Sequence, residues 1–191
     1  MKKNRKTALN SQLVYLRPPE EADFAELQQR YSASQAHLRG VANTKFDRDA
    51  FAEMLSNAKR DTNKSFLICR CMDNAIVGTI SLSQIFLKSF RNAYLGYQLF
   101  SGFTGQGYMT SAVRLVLDYA FREAQLHRIE ANVQPSNLAS IAVLQRIGFS
   151  KEGFSRRYLK IGGRWRDHER WALIKEDWSS LKRDDGSGHK K

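Results

Sequence analysis

An α+β fold, with a mostly antiparallel central sheet flanked by helices, is what the order of patterns in this 191-residue chain predicts. Strand-like stretches sit next to one another around the turns at Asp73-Asn74 and Gly162-Gly163, which favours hairpins. Between those hairpins runs a single strand–helix–strand–helix passage, so a strict βαβ repeat does not fit. The length suits one well-buried domain and hardly two. We place that domain at residues 8–178 and read 1–7 and 179–191 as polar, solvated tails.

Residues 12–18, QLVYLRP, alternate as an edge strand stopped by Pro18-Pro19. Residues 20–31 open on two acids, which suit a helix N-terminus, and repeat Phe24, Leu27 and Tyr31 on one face. Residues 47–60 form a second helix with Phe51, Met54 and Leu55 inward. Strands come next at 65–72 and 75–86, and another at 92–100. From Tyr108 to Ala124 the positions Val113, Leu117, Ala120, Phe121 and Ala124 share a face that Ala112, Val116 and Tyr119 broaden. A stripe that wide predicts a helix laid on a sheet. A strand at 128–134, a helix at 137–148 and a long hairpin over 149–174 complete the order.

Composition narrows the function classes. At 42% hydrophobic with three prolines the chain is globular. No apolar run approaches the ~18 residues of a membrane-spanning helix. MKKNRK is followed by no apolar stretch of signal-peptide length. Cys69 and Cys71 form no disulfide framework, so a reducing, cytoplasmic setting is expected. His37, His127, His168 and His189 are scattered, and no metal site is expected. The net charge of +12 suits solubility or an anionic partner. It is concentrated in KEGFSRRYLKIGGRWRDHER, where seven Lys or Arg face three Asp or Glu. Direct contact with nucleic acid is left open, since no homeodomain, zinc-finger or RRM signature is present.

The stretch FTGQGYMTSAVRLVL puts Gly105 and Gly107 just ahead of the broad-faced helix. Glycine is a costly helix opener unless the turn needs unusual angles or an anion must reach bare backbone. Amides at such a turn have no intrahelical partner, and the helix dipole adds positive potential. A P-loop would need Gly-Lys-Ser/Thr where Tyr108-Met109 stand. A dinucleotide turn would need a third glycine at Thr110.

Together with RIEANVQPSNLASIAVLQRIGFSKEGF, this segment resembles the acetyl-CoA-binding core of the GNAT superfamily of N-acetyltransferases. That family carries a Q/R-x-x-G-x-G/A turn into its main helix and a later N-x-x-S…G-F segment. The resemblance runs from about Gly78 to Trp178. At YLKIGGRWRDHERWALIKEDW it is similar to the closing hairpin of RimJ-type ribosomal-protein-alanine N-acetyltransferases. Thr104 and Met109 depart from the two ends of the turn motif, while both central glycines remain.

The resemblance implies a set of roles. Gly105 and Gly107 would cradle the pyrophosphate, with amides from Gln106, Tyr108, Met109 and Thr110. Gln98, Leu99 and Phe100 would offer free backbone groups to the pantetheine arm and the thioester oxygen. Asn137 would hold that arm from the far side, a position where it equally fits an N-cap. Many family members place a tyrosine acid where this chain has Leu144, so an acid must come from elsewhere. Ser140 would then protonate the departing thiolate. Glu130, a charged residue on a central strand, would relay a proton from the amine or pair with an arginine. Arg164, Trp165, Arg166 and Asp167 would line the acceptor groove, or form an edge hairpin that discourages strand pairing.

The activity implied by the resemblance is acetyl transfer from acetyl-CoA, by direct attack in a ternary complex, since neither motif contains a cysteine. The expected acceptor is the N-terminal alanine amine of a ribosomal protein, with the ribosome as partner. Two other readings are a small-amine acetyltransferase acting on a polyamine or antibiotic, and a non-catalytic ribosome- or RNA-binding protein.

Overall fold

A computed structural model describes residues 9–40 and 45–187. The N-terminal tail expected at 1–7 and the last four residues of the C-terminal tail lie outside the described residues. The elements run β1 (Leu9–Asn10), β2 (Val14–Arg17), a 3-10 turn (Glu21–Asp23), α1 (Phe24–Ala33), α2 (Gln35–Leu38) and α3 (Arg48–Ala58). β3 (Lys64–Arg70), β4 (Ile76–Phe86), β5 (Asn92–Leu99) and α4 (Tyr108–Asp118) come next, α4 continuing into a π-helical turn (Tyr119–Glu123). Then come β6 (Arg128–Val133), α5 (Leu138–Ile147), β7 (Ser150–Ile161), β8 (Arg164–Ile174) and α6 (Lys175–Ser187).

Among the described residues, one eight-stranded sheet, ordered β1-β2-β3-β4-β5-β6-β8-β7, organises the chain. Its pairings are antiparallel except that of β5 with β6. The 92–100 strand and the 128–134 strand are joined through α4, and a crossover helix is what allows two neighbours to run parallel. The result is the mixed, mostly antiparallel sheet that the element order implies.

The sheet has a helical layer on each face. On one, α4 presses Ala112, Val113, Val116 and Leu117 onto Val14, Ile68, Leu82, Ala93 and Ile129, as its broad apolar stripe predicts. On the other, Leu27, Tyr31, Leu38 and Phe51 cover Leu67, Cys69, Ile76 and Phe100. Alternation along β6 sends Ile129, Ala131 and Val133 to the α4 side and Arg128, Glu130 and Asn132 to the other. α6 carries the chain past Trp178 to Ser187, beyond the expected start of the C-terminal tail. Trp178 is buried and its indole N–H bonds Asp118. Among the described residues, no helix is long and apolar enough to cross a membrane.

Candidate active site

α4 opens without a side-chain cap. Its N-cap is Gly107 in the left-handed region at φ +78°, and no side chain bonds the first turn from that position. The first intrahelical bond runs from the Ser111 amide to the Gly107 carbonyl at 3.0 Å. The amides of Tyr108, Met109 and Thr110 precede it and therefore have no intrahelical acceptor. Tyr108 and Met109 are buried in the core, while Gly105, Gln106 and Gly107 ahead of them are exposed. Gly105 is also left-handed, at φ +75°. Gln106 donates through Nε2 to the Gly102 carbonyl at 3.0 Å, which closes the loop. Both glycines are thus required by backbone angle, and the bare, dipole-backed amides they expose suit a phosphate.

Beside this turn the sheet parts. β5 and β6 pair only from Asn92, Ala93 and Tyr94 to Arg128, Ile129 and Glu130. Beyond Tyr94 the inner edge of β5 has no strand neighbour among the described residues, while its outer edge stays paired to β4 as far as Leu99 with Gly78. Gly78 is obligatory there, because a Cβ would collide with the Gln98 carbonyl oxygen.

The pleat decides which backbone groups face the gap. Phe100 donates to the Val77 carbonyl at 2.9 Å and its own carbonyl accepts from Phe103 at 3.2 Å. Its ring is fully buried among the α1–α3 residues. Amide direction alternates along a strand, so Gln98 also turns its amide to β4, and Leu99 turns away from it. The expectation of three free backbone groups is therefore corrected: Leu99 keeps it, and Phe100 and the Gln98 amide do not. The Gln98 side chain donates to the Tyr31 hydroxyl.

A cleft of about 410 Å³ fills the parting. Leu99, Gly105, Gly107, Thr110, Asn137 and Ser140 all line it, so residues from both sequence motifs meet. Asn137 caps α5, its Oδ1 accepting from the Ser140 amide at 3.2 Å. The Ser140 hydroxyl donates to the Tyr97 hydroxyl at 2.9 Å, and Tyr97 donates to the Ser140 carbonyl at 3.3 Å. Burial pushes the Tyr97 hydroxyl up to about 12, the bond from Ser140 only moderating it. Leu144, one turn further, is fully buried in the core.

Glu130 lies on the opposite face of the sheet from the Ser140–Tyr97 pair. Arg128 Nε holds its Oε1 at 2.9 Å, and the same arginine also grips Glu152. That anchored pair is the arginine partner expected of a charge on a central strand. Arg128 is raised above its ordinary value, first by its bond to Glu152 and also by Glu130.

The four hairpin residues are not brought together on one surface. Arg164 and Arg166 alternate onto the face of Glu130 and Asn132, while Trp165 and Asp167 point to the other. Trp165 is 61% exposed. Asp167 accepts from the Arg157 amide at 2.7 Å, tying down a left-handed residue in a bulge of β7. Only Arg166 is half-buried, and its Nε, like Asn132 Oδ1, has no hydrogen-bond partner among the described residues.

Two contributors escape sequence reasoning. Tyr97 alternates with Gln98 and can be found only once the pleat is phased. Arg146, on the last turn of α5, reaches Thr110 Oγ1 at 3.4 Å and adds a cation beside the α4 amides. Its spacing on the helix gives no sign of this. Among the described residues, no group of three His, Cys, Asp or Glu could hold a metal.

Comparison with known proteins agrees with this geometry. The model of the Acetyltransferase (GNAT) domain matches residues 14–150. The chain is 37% identical over 177 residues to the probable N-acetyltransferase YjcK of Bacillus subtilis, spanning 88% of this chain and 98% of that one. It is 39% identical over 107 residues to the [ribosomal protein uS5]-alanine N-acetyltransferase of Escherichia coli, spanning 56% of this chain and 55% of that one. Mycobacterium smegmatis RimJ, solved in complex with CoA-disulfide, superposes with a TM-score of 0.81 at 31% identity. That likeness covers 94% of this chain and 92% of RimJ.

Proposed function

From the premise that the chain belongs to the GNAT acetyltransferase family, and is an N-acetyltransferase, we propose that it moves acetyl from acetyl-CoA to the N-terminal α-amine of a ribosomal protein, with alanine at that end. The observation that carries the donor assignment is the uncapped start of α4, with three amides lacking intrahelical acceptors, at the mouth of the parted strands. Those residues fit a pyrophosphate: the amides of Tyr108, Met109 and Thr110 would hold it, with Gly105 and Gly107 keeping the approach clear. Acetyl-CoA supplies the thioester.

The chain's own groups then divide the work. The Leu99 amide, turned into the gap, would donate to the developing oxyanion. Asn137 would position the pantetheine arm, and Ser140 would donate to sulfur as the carbon–sulfur bond breaks. The acceptor would approach on the other face of the parting, where Glu130, Asn132 and Arg166 lie. Asn132 Oδ1 and Arg166 Nε are buried without a partner among the described residues, which leaves unmet polar capacity on this face. Little base strength is needed, because an α-amino group with a pKa of roughly 8 is partly neutral at pH 7. Glu130 would serve through Oε2, the oxygen that Arg128 does not hold.

Support for a ribosomal acceptor comes from the likeness to the uS5-alanine enzyme and to RimJ. The charge of +12 suits work beside RNA in the cytoplasm. The test is to incubate purified protein and acetyl-CoA with unacetylated ribosomal proteins and read N-terminal peptides by mass spectrometry. Acetylation of one N-terminal alanine is expected. Acetylation of spermidine alone would move the assignment to a small amine, and no thiol release with any amine would leave a binding protein.

A further inference from the structure

Acetyl transfer asks two things of a proton. The amine nitrogen loses one as the carbon–nitrogen bond forms, and the departing sulfur gains one as the carbon–sulfur bond breaks. In the chain as folded, the Ser140 hydroxyl is hydrogen-bonded to the Tyr97 hydroxyl at 2.9 Å, and the Tyr97 hydroxyl also meets the Ser140 carbonyl across a longer 3.3 Å. Asn137 fixes the Ser140 backbone from the other side.

We propose that Tyr97 is the positioning residue for Ser140, supplying from the facing strand β5 the tyrosine hydroxyl that α5 lacks at Leu144. The proposal rests on the reading of Ser140 as donor to the departing sulfur. Rotation of two hydroxyls, with no heavy atom moved, converts the closed arrangement into a working one. Tyr97 gives up its long bond to the carbonyl and donates to Ser140 Oγ across the same 2.9 Å. The Ser140 proton is thereby released toward the cleft, which both residues line. A hydroxyl that accepts one hydrogen bond becomes a better donor of the next.

Tyr97 neither loses nor gains a proton overall, and Ser140, having given its proton to sulfur, takes one back from solvent, to which the amine proton is released. Burial holds the Tyr97 hydroxyl protonated well above neutral pH, so it acts as a fixed donor and not as the net acid. The arrangement places two hydroxyls 43 positions apart in the chain within one hydrogen bond. A purely structural tyrosine could fill the same space with its ring alone.

The experiment compares kcat, KM, acetyl-CoA affinity by calorimetry and melting temperature for wild type, Tyr97→Phe, Ser140→Ala and the double variant. Tyr97→Phe should lower kcat about tenfold, equivalent to ~1.4 kcal/mol, with acetyl-CoA affinity unchanged. Ser140→Ala should lower it by roughly 10²–10⁴, and the double variant should be no slower than Ser140→Ala alone. Incorporation of 3-fluorotyrosine at position 97 keeps the shape and strengthens the donor, so kcat should hold or rise. A normal kcat in Tyr97→Phe overturns the positioning role while leaving Ser140 as donor. A normal kcat in Ser140→Ala overturns the Ser140 reading itself. Multiplying effects in the double variant, or a loss with 3-fluorotyrosine equal to that of phenylalanine, overturn the coupling between the two hydroxyls.

Discussion

Asn137 Oδ1 accepts a hydrogen bond from the amide of Ser140 at 3.2 Å, so one side chain both starts α5 and sets the position of the serine. The remaining Nδ2 is what a pantetheine arm would use. Asn137→Ala should therefore cost ~1 kcal/mol of stability as a lost cap. Asn137→Ser keeps a capping oxygen and removes the amide NH₂. It should melt near wild type yet bind acetyl-CoA more weakly by calorimetry. Equal affinity in that variant would make Asn137 a cap alone.

Gly107 and Gly102 separate phosphate access from backbone strain. Both are left-handed, at φ +78° and +85°, and a Cβ on either meets nothing closer than the 3.6 Å contact of Gly107 with Leu13. Alanine at either position carries a left-handed penalty of ~1–2 kcal/mol. Only Gly107→Ala places a methyl beside the α4 amides. We expect acetyl-CoA affinity to fall about tenfold or more in that variant, ~1.4 kcal/mol, and to hold in Gly102→Ala. Matching losses in the two would assign the turn to structure.

The Tyr97 hydroxyl gives a pH signature with a definite sign. Its folded pKa, about 12, lies above the unfolded value of about 10 because burial disfavours the phenolate. Its contribution to stability is complete below pH 10 and is lost as pH rises toward 12. Tyr97→Phe should lose less stability than wild type between pH 10 and 12 in chemical denaturation. The kcat of wild type should show no limb from this group below pH 10. Parallel stability profiles for the two proteins would mean that the hydroxyl is solvated.

Glu130 separates anchoring from proton transfer. Glu130→Gln keeps the shape, removes the charge that Arg128 Nε holds at 2.9 Å, and leaves Arg128 to Glu152. We expect kcat to fall by roughly 10²-fold or more, the range for a lost base, with little change in melting temperature. A variant that melts lower and keeps a near-normal kcat would make the carboxylate an anchor alone.

Much of this architecture is legible from the chain because it is local. The glycine turn, the stripe from Ala112 to Phe121 and the cap at Asn137 each involve residues within a few turns of one another. Their signals are written in spacings of three and four or in the demands of one backbone angle. Motif spacing also carries the family, since the glycine turn needs only its own loop and helix.

Other features depend on the pleat phase of β5 and on which strand lies beside it. An offset of one residue exchanges its two edges and faces, so sequence alone could not tell that Leu99 faces the gap while Phe100 faces β4. The same phase brings Tyr97 to Ser140 and sends Gln98 to Tyr31. Glu130 acquired its arginine, and Asp167 its amide, through the alternation of a paired strand or through a bulge. The chain by itself determined the main strands and helices, the glycine turn and the family. Only tertiary structure decided which atoms of those elements face the cleft, because strand registry is set by packing of the two cores and not by any residue's own preference.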